Sequence, residues 1–573
     1  MEKIWQVLPK IDDDFISKNP DYNQVILQLL FNRGIKSLEE IKAFFNDGYE
    51  KLADPFSFND MDQAIELVIK HVKEQNKIVV YGDYDADGVT AAALLVEILK
   101  ILKAQVDVYI PERAKEGYGL NEKAIISIAK QGVKLIITVD QGIRDKEDVA
   151  RAKKLGLDVI ITDHHVAPPK EEDLPDCLII NPNVLSEKYI FKSLSGAGVS
   201  LQLTRAIIQK SKLAENDKKF LENKLLDLVA IGTVADCVSL TGENRLLVKA
   251  GLKVLNKTKR LGLQELIKAA QIDKRELEAW NIGFQIGPRL NAAGRLKHAN
   301  TAFELLVIKD KKKARDLANQ LNVGNKTRQA ITKEIMEEMA KQVSNQVNQK
   351  IIIGVCPIDE DKSSTVWNEG VIGLVAGRIA DKYYKPVLVI TKSEDGYKGS
   401  GRSIPEFNIV AAVEKCSDLL DKYGGHPAAC GFSLKPEKIE EFKTKMQSLA
   451  KAELAAKKLQ PKINIDCELN LEKIDEDLVN DIAKLAPFGQ NNPQPKFISQ
   501  AAQIKDIMTM GVDGQHIKFR FNGFWALAFG RADDWKDFKI GDMVDIVYSL
   551  EKNEFNGRSE VQLKLVDIRR CDS

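Results

Sequence analysis

Ile78-Val79-Val80-Tyr81-Gly82-Asp83-Tyr84-Asp85-Ala86-Asp87-Gly88-Val89-Thr90 is an apolar run that stops abruptly in three carboxylates spaced two residues apart. Such a cluster is costly unless a cation neutralises it, because Asp83, Asp85 and Asp87 facing one another raise each other's pKa. Spacing alone leaves two readings open, a divalent metal site and a solvated acidic turn. The surrounding pattern decides between them.

Short β-rich runs at 78–81, 106–110, 135–139, 159–162 and 178–180 alternate with helical stretches at 89–102, 121–130 and 146–155. This reads as repeated βα units around a parallel sheet. Ligands of an open parallel sheet bind beyond the carboxyl ends of its strands. Asp83, Asp85 and Asp87 follow the first run, Asp140 ends the third, and Asp163-His164-His165 ends the fourth. Three strand ends thus bring oxygen and imidazole donors to one edge, which favours the metal. Histidine usage agrees, since two of only six stand side by side immediately after a strand. A fourth donor is Asp236, which ends the apolar helix 225–236 at the negative end of its dipole, where an acid calls for a cation.

The chain of 573 residues is too long for one core and predicts about three or four domains. It holds no run of about 18 apolar residues to span a bilayer, and Met-Glu-Lys-Ile-Trp lacks an apolar signal core, so no membrane association and a cytoplasmic location are expected. Seven cysteines, odd in number and never in Cys-x-x-Cys, argue against a disulfide framework and a zinc site. With 84 basic and 83 acidic side chains, any polyanion must be held by a local basic groove rather than a global field.

Residues 1–50 hold amphipathic segments at 24–31 and 38–45 and read as an N-terminal helical extension. In the loop 111–120, on the same edge as the acids, Arg113 is suited to grip a phosphate and Tyr118 to stack on a base, although an ordinary surface loop fits as well. Ser195-Gly196-Ala197-Gly198-Val199-Ser200 precedes a helix and is a weak candidate for holding an anion. Arg289 and Arg295 in Gly287-Pro288-Arg289-Leu290-Asn291-Ala292-Ala293-Gly294-Arg295 are candidate phosphate contacts. The charged segment 314–343 reads as a helix connecting two lobes, with Asn322, Asn325 and Arg328 toward the groove.

A second α/β module follows, with strands at 351–355 and 387–390 and helices at 373–382 and 409–420. Its loop Gly399-Ser400-Gly401-Arg402-Ser403 offers amides, the hydroxyls of Ser400 and Ser403 and the Arg402 guanidinium, a combination suited to a phosphate or a strand terminus. Gly424-Gly425-His426-Pro427-Ala428-Ala429-Cys430-Gly431 places His426 in a glycine-rich turn, with Cys430 read as packing. The last 110 or so residues switch to strands at 463–469, 515–521, 525–529, 543–548 and 561–567 with a helix at 477–485, the pattern of an OB-fold. Lys518, Arg520, Trp525, Arg531 and Lys552 are its candidate DNA contacts, against the alternative of a barrel that serves only interdomain support.

Asp-Tyr-Asp-Ala-Asp-Gly, the Thr-Val-Asp strand end, Asp163-His164-His165 and Gly232-Thr233-Val234-Ala235-Asp236 together resemble the four motifs of the DHH phosphoesterase family. Over about residues 50–570 the chain is most similar to the branch that degrades single-stranded DNA from 5' to 3'. The resemblance implies a multidomain α/β protein: extension 1–50, DHH catalytic domain 51–260, helical connector 261–345, DHH-associated α/β domain 346–455 and OB-fold nucleic-acid-binding domain 460–573. It implies two divalent ions, Mn2+ or Mg2+, on Asp83, Asp85, Asp87, Asp140, His164, His165 and Asp236, with Asp163 orienting the histidines and His426 contacting the scissile group. Asp83 is either a ligand or a close neighbour of the ligands, and Asp140, alone on its strand end, is the candidate bridging carboxylate. Oxygen donors with few imidazoles suit these ions better than zinc, and a pair of them hydrolyses phosphodiesters.

The implied activity is 5'-to-3' release of mononucleotides in DNA repair and recombination. Its implied partners are single-stranded DNA, a single-strand-binding protein and a helicase, and the chain is expected to act as a monomer. A small-molecule phosphodiesterase would generally lack the long helix and the barrel, and a non-catalytic scaffold would have lost ligands that are all present here. Two departures from the family pattern are Asn368, where histidine is frequent, and Asn491, where glycine is usual.

Overall fold

Branched apolar runs in the first half of the chain build one all-parallel sheet in the computed structural model, which describes residues 2–46, 48–272, 276–296, 298–357, 366–393, 396–555 and 558–571. The strand order is Gln105–Tyr109, Lys77–Gly82, Val133–Val139, Asp158–Thr162, Leu178–Ile180. The chain leaves Lys77–Gly82 to one side and returns on the other, so the crevice beyond Gly82 and Val139 is a topological switch point, where such sheets bind ligands. Helices cover both faces, which is why the strands read as continuous apolar runs rather than alternating ones.

The acidic segment opens the helix Ala86–Ile101, whose N-cap is Asp85. This helix is apolar almost all round because Gly196–Lys210 and Glu215–Ala235 pack on it. Leu94, Leu95, Ile98 and Leu99 are buried, each contributing about 1.5–3 kcal/mol. The site therefore rests on a helix buried along most of its length.

The connecting helix Lys311–Ser344 runs 34 residues, about 50 Å. Its first half packs on Leu261–Ala269 and Gly287–Leu296, and its last turns place Ile335, Met339 and Val343 in a core with Trp367, Val371 and Val375 of the second lobe. That lobe has a five-stranded sheet in the order Lys422–His426, Ala429–Leu434, Gly396–Arg402, Val387–Ser393, Ile352–Val355. Two segments expected as loops are strands here. Gly399 to Arg402 lies in Gly396–Arg402, and the glycine-rich segment around His426 is the hairpin Lys422–His426 and Ala429–Leu434.

Among the described residues the C-terminal unit forms a seven-stranded sheet rather than the five strands expected, ordered Cys467–Glu468, Phe497–Gln503, Met543–Phe555, Arg558–Arg570, Phe524–Ala528, His516–Phe521, Asp506–Met510. Phe497–Gln503 escapes a period-two reading because its register shifts between Ser499 and Ala502, with Ala501 at φ +49°. The expected strand 463–469 is divided. Lys462–Ile465 pairs in parallel with Ile4–Val7, while Cys467–Glu468 pairs with Phe497–Gln503.

The N-terminal extension is thus not wholly helical. It begins with the strand Ile4–Val7, and its helices Gln24–Asn32 and Leu38–Phe45 bury Leu27, Leu29, Leu30 and Ile41 in the core of the C-terminal unit. Arg245 of the first lobe donates to the carbonyls of Leu485 (2.7 Å) and Lys484 (3.1 Å) and lies 4.0 Å over the ring of Phe44. The N-terminal extension and the C-terminal unit are both tied to the first lobe at this point.

Candidate metal centre and cleft

Asp85 accepts the N–H groups of Asp87 (2.9 Å) and Gly88 (3.0 Å) through Oδ1, so capping the helix sets its rotamer. The N–H of Ala86 is taken by Oδ1 of Asn291 at 2.7 Å, a contact that sequence reading missed although Asn291 stands between Arg289 and Arg295. Asp87 is fully buried. Its Oδ2 accepts Gly196 N–H at 2.7 Å and its Oδ1 accepts Ala197 N–H at 2.9 Å. The segment 195–200 therefore does hold an anion at a helix N-terminus, and that anion is the chain's own Asp87. Close approach here requires glycine, since a Cβ on Gly232 would lie 2.5 Å from Asp87 Oδ1 and one on Gly196 2.5 Å from Asp140 Oδ1.

Asp140 sits at φ +64° beyond its strand, with Oδ1 3.1 Å from His164 Nε2. His164 Nε2 is also 3.6 Å from Asp236 Oδ2. The 3.1 Å approach lacks hydrogen-bond alignment, so Asp140 Oδ1 and His164 Nε2, with Asp83 Oδ1, remain buried without a hydrogen-bond partner. Asp163 is saturated instead. Its Oδ1 accepts from His164 N (2.7 Å), His165 N (3.1 Å) and His165 Nδ1 (2.7 Å), and its Oδ2 accepts from Ile143 N at 3.0 Å.

Among the described residues, donor atoms within 4.8 Å of one another form three groups: Asp140, His164 and His165; Asp87, His164 and Asp236; Asp83, Asp85 and Asp140. All seven expected ligands are included, and Asp140 and His164 each belong to two groups. Burial, then the charge of Asp85, pushes Asp83 well above the carboxylate range and Asp87 up to about 7. Burial, then Asp87 and Asp85, raises Asp140 strongly and Asp236 up to about 9. Burial, then His165, takes His164 down to about 4, keeping a neutral imidazole with a free lone pair. Burial also lowers His165, but its bond to Asp163 and the surrounding acids outweigh this and raise it. Unpaired buried oxygens, a neutral imidazole and mutually repelling carboxylates fit hard divalent cations.

The centre adjoins a cleft of about 960 Å³ between the two lobes, lined by Tyr84, Arg113, Arg295, Lys398, Ser400 and Arg402 among others. Arg113 lies 5.1 Å over the Tyr84 ring. Arg295 donates to Gly370 O at 2.9 Å across the lobes, and burial followed by the charges of Arg113 and Arg328 takes it down to about 10. Along Gly396–Arg402, Lys398, Ser400 and Arg402 alternate with buried Tyr397, Gly399 and Gly401. The Phe432 ring and Cys430 Sγ fill the space that a Cβ would need at Gly399 and Gly401. That alternation was the available signal for a strand.

Other expected contacts lie elsewhere. Tyr118 O–H donates to Asp140 O at 3.2 Å and the ring meets His165 edge-on at 5.6 Å, so this residue braces the centre. Arg289 is bound by Asn322 Oδ1 (3.0 Å) and Gln285 O (2.7 Å), outside the cleft lining. Ser403 Oγ donates to Phe407 O at 2.7 Å and also lies outside it. His426 stands exposed at the hairpin tip, its Nδ1 3.3 Å from the N–H of Ala428, although Tyr423 and Gly431 of the same hairpin line the cleft. Cys430 is buried and Asn368 caps the helix Glu369–Tyr383 at the cleft edge. On the C-terminal sheet Lys518 and Arg520 lie 4.2 and 5.8 Å over Trp525, whereas Arg531 pairs with Asp534 and Lys552 with Glu476.

Three family models match in order along the chain: the DHH family N-terminal domain over 77–233, the DHHA1 domain over 348–452 and the RecJ OB domain over 465–567. The single-stranded-DNA-specific exonuclease RecJ of Bacillus subtilis is 36% identical over 550 residues, covering 95% of this chain and 67% of its own length. RecJ of Salmonella typhimurium is 32% identical over 602 residues, covering 99% and 100%. The crystal structure of Thermus thermophilus RecJ in complex with Mn2+ aligns with a TM-score of 0.84 at 26% identity, covering 100% of this chain and 80% of that one. Since likeness of sequence and fold runs through both lobes and the C-terminal sheet, the chain belongs to the RecJ family of single-stranded-DNA-specific exonucleases.

Proposed function

We propose that the chain hydrolyses single-stranded DNA from its 5' end, releasing mononucleotides, with two Mn2+ or Mg2+ ions held by Asp83, Asp85, Asp87, Asp140, His164, His165 and Asp236. The observation that carries this is the set of three overlapping donor groups beside a cleft lined with guanidinium groups. When bound, such an ion pair supplies Lewis acidity toward the phosphate and a nucleophile at neutral pH. Asp140, common to two donor groups, would help to hold both ions. Asp163 holds His165 through Nδ1 and leaves Nε2 as its free ring nitrogen.

Arg113, Arg295, Ser400 and Arg402 bind the terminal phosphate and orient the strand, as planar forks suit phosphate oxygens. His426, on the hairpin that flanks the cleft, offers its free ring nitrogen to the scissile phosphate. The C-terminal sheet carries the strand on Trp525 with Lys518 and Arg520. The test uses 5'- and 3'-labelled oligonucleotides, single- and double-stranded. Mononucleotides from the 5' end of single strands alone are expected; 3' polarity, internal cuts or indifference to strandedness would refute the reading.

We infer further that the protein works as a cytoplasmic monomer with a helicase and a single-strand-binding protein, a role in DNA repair and recombination that the resemblance supports. No helix among the described residues is long and apolar enough to cross a membrane.

A further inference from the structure

The helix that carries Arg295 begins in an irregular segment whose exposed side chains have no part in the centre. Trp280 of Ala279–Asn281 and Phe284 of the π-helical Ile282–Ile286 are 50% and 68% exposed. Their rings stack at 5.3 Å and 24°. π turns recur at functional sites, and two large rings left in water on one call for an occupant. The inner side of the turn rests on the helix end that delivers Asp236: a Cβ on Gly283 would be 3.7 Å from Val234, and one on Gly287 would be 3.2 Å from the Cβ of Ala235. The rings thus sit on a rigid support directly behind a proposed metal ligand.

Charge leads from this pair toward the cleft. Gln285, next to Phe284, accepts Arg289 Nη1 at 2.7 Å, and Arg289 Nε donates to Asn322 on the connecting helix at 3.0 Å. Two turns on, Arg328 is held by Asn325 at 2.9 Å. After burial, the charges of Arg378 and Arg289 are what lower Arg328, and those of Arg113, Arg328 and Arg402 what lower Arg295, so these groups lie within electrostatic reach of one another in sequence. Arg289 and Arg295, on the same helical run as Phe284, therefore form a guanidinium track toward the cleft that Arg295 lines. Phe284 and Arg295 are eleven residues apart, about 16 Å along a helix.

We propose that Trp280 and Phe284 form a stacking platform for a base of single-stranded DNA, a subsite outside the cleft that rests on the nuclease reading above. An aromatic face beside a guanidinium group matches a nucleotide, a flat ring joined to a phosphate. Stacking of this kind is tolerant of sequence because every base has a π face. The track neutralises the phosphates between the platform and the cleft.

The test is an abasic scan. Full-length protein in EDTA, where no cleavage occurs, is titrated into 3'-fluorescein single-stranded oligonucleotides carrying one abasic residue at successive positions, and affinity is read by anisotropy. For the wild type, one position near the 5' end should weaken binding roughly 5- to 100-fold. Trp280→Ala/Phe284→Ala should bind intact oligonucleotide more weakly by a similar factor and lose its sensitivity at that position, while Trp280→Phe, which keeps a ring, should retain it. Melting temperatures within a few degrees of wild type would exclude a folding defect as the cause. A double variant as sensitive as wild type at every position, or a wild type sensitive at none, overturns the platform while leaving the nuclease reading standing. A wild type that does not bind single strands overturns the platform, and the labelled-oligonucleotide assay decides the nuclease reading separately.

Discussion

Oδ1 of Asp163 accepts Nδ1 of His165 at 2.7 Å, and the same carboxylate takes three backbone N–H groups, from His164, His165 and Ile143. Burial alone would raise this acid, yet those bonds and the histidine charges hold it below the usual range. It is a fixed anion bonded to the His165 ring. Asp163→Ala should weaken Mn2+ binding by roughly 10- to 100-fold. Isothermal titration calorimetry reads this directly, and an unchanged affinity would mean that the imidazole is oriented by other contacts.

Asp140 belongs to two donor groups, yet without ions its charge is repelled by Asp87, Asp85, Asp236 and Asp83. Asp140→Ala should abolish turnover while leaving the melting temperature in EDTA no lower than that of the wild type. Retained turnover would remove Asp140 from the bridging position.

The same repulsion sets a pH dependence. Asp83, Asp87, Asp140 and Asp236 all have folded-state pKa values above their unfolded ones, so the metal-free native state holds more protons than the unfolded chain. Stability then falls as pH rises. With Asp87 near 7 and Asp236 near 9, the melting temperature in EDTA should fall from about pH 4 to about pH 9. Saturating Mn2+ should flatten or reverse the slope, because the bound ions favour the ionised forms. Differential scanning calorimetry across that window, with and without metal, checks both signs.

Arg402 projects from a strand on the opposite lobe to Arg113, and burial, with the Arg113 charge adding to it, holds its guanidinium below the usual value. Arg402→Ala should weaken binding of 5'-phosphorylated oligonucleotides by roughly 10- to 100-fold, the worth of a charge-assisted hydrogen bond. It should also narrow the preference over 5'-hydroxyl oligonucleotides. Equal losses for both ends would place Arg402 elsewhere on the strand.

Gly232 lets one helix pass against another where they enclose Asp87. An added methyl would meet Asp87 Oδ1 and Thr90 Oγ1 at 2.5 Å and Ala197 Cβ at 2.7 Å. Gly232→Ala should cost about 1–3 kcal/mol by overpacking and lower metal affinity at the same time. Urea unfolding and calorimetry measure the two effects separately.

The sequence by itself determined the parallel sheet, because short β-rich runs alternate with helical stretches, three of the runs end in polar donors, and that pattern is local. It also placed all seven donors, since strand ends and one helix end put them on a common edge. Even the departure at Asn491 is legible locally: the residue sits at φ +58°, a conformation in which asparagine is the usual substitute for glycine. What only the tertiary structure decided are pairings between segments far apart in the chain. Ile4–Val7 joins Lys462–Ile465, the amides of Gly196 and Ala197 close on Asp87, and Arg295 reaches Gly370. The physical reason is that such contacts depend on which unpaired backbone groups and buried charges meet once the cores have packed, and no periodicity in either partner records the other. For the acidic stretch at 83–87 this divides the result in two. Its carboxylates announced a cation, and the fold determined that Asp87 is cradled by a helix end while Asp83 is left with an unpaired oxygen in the centre.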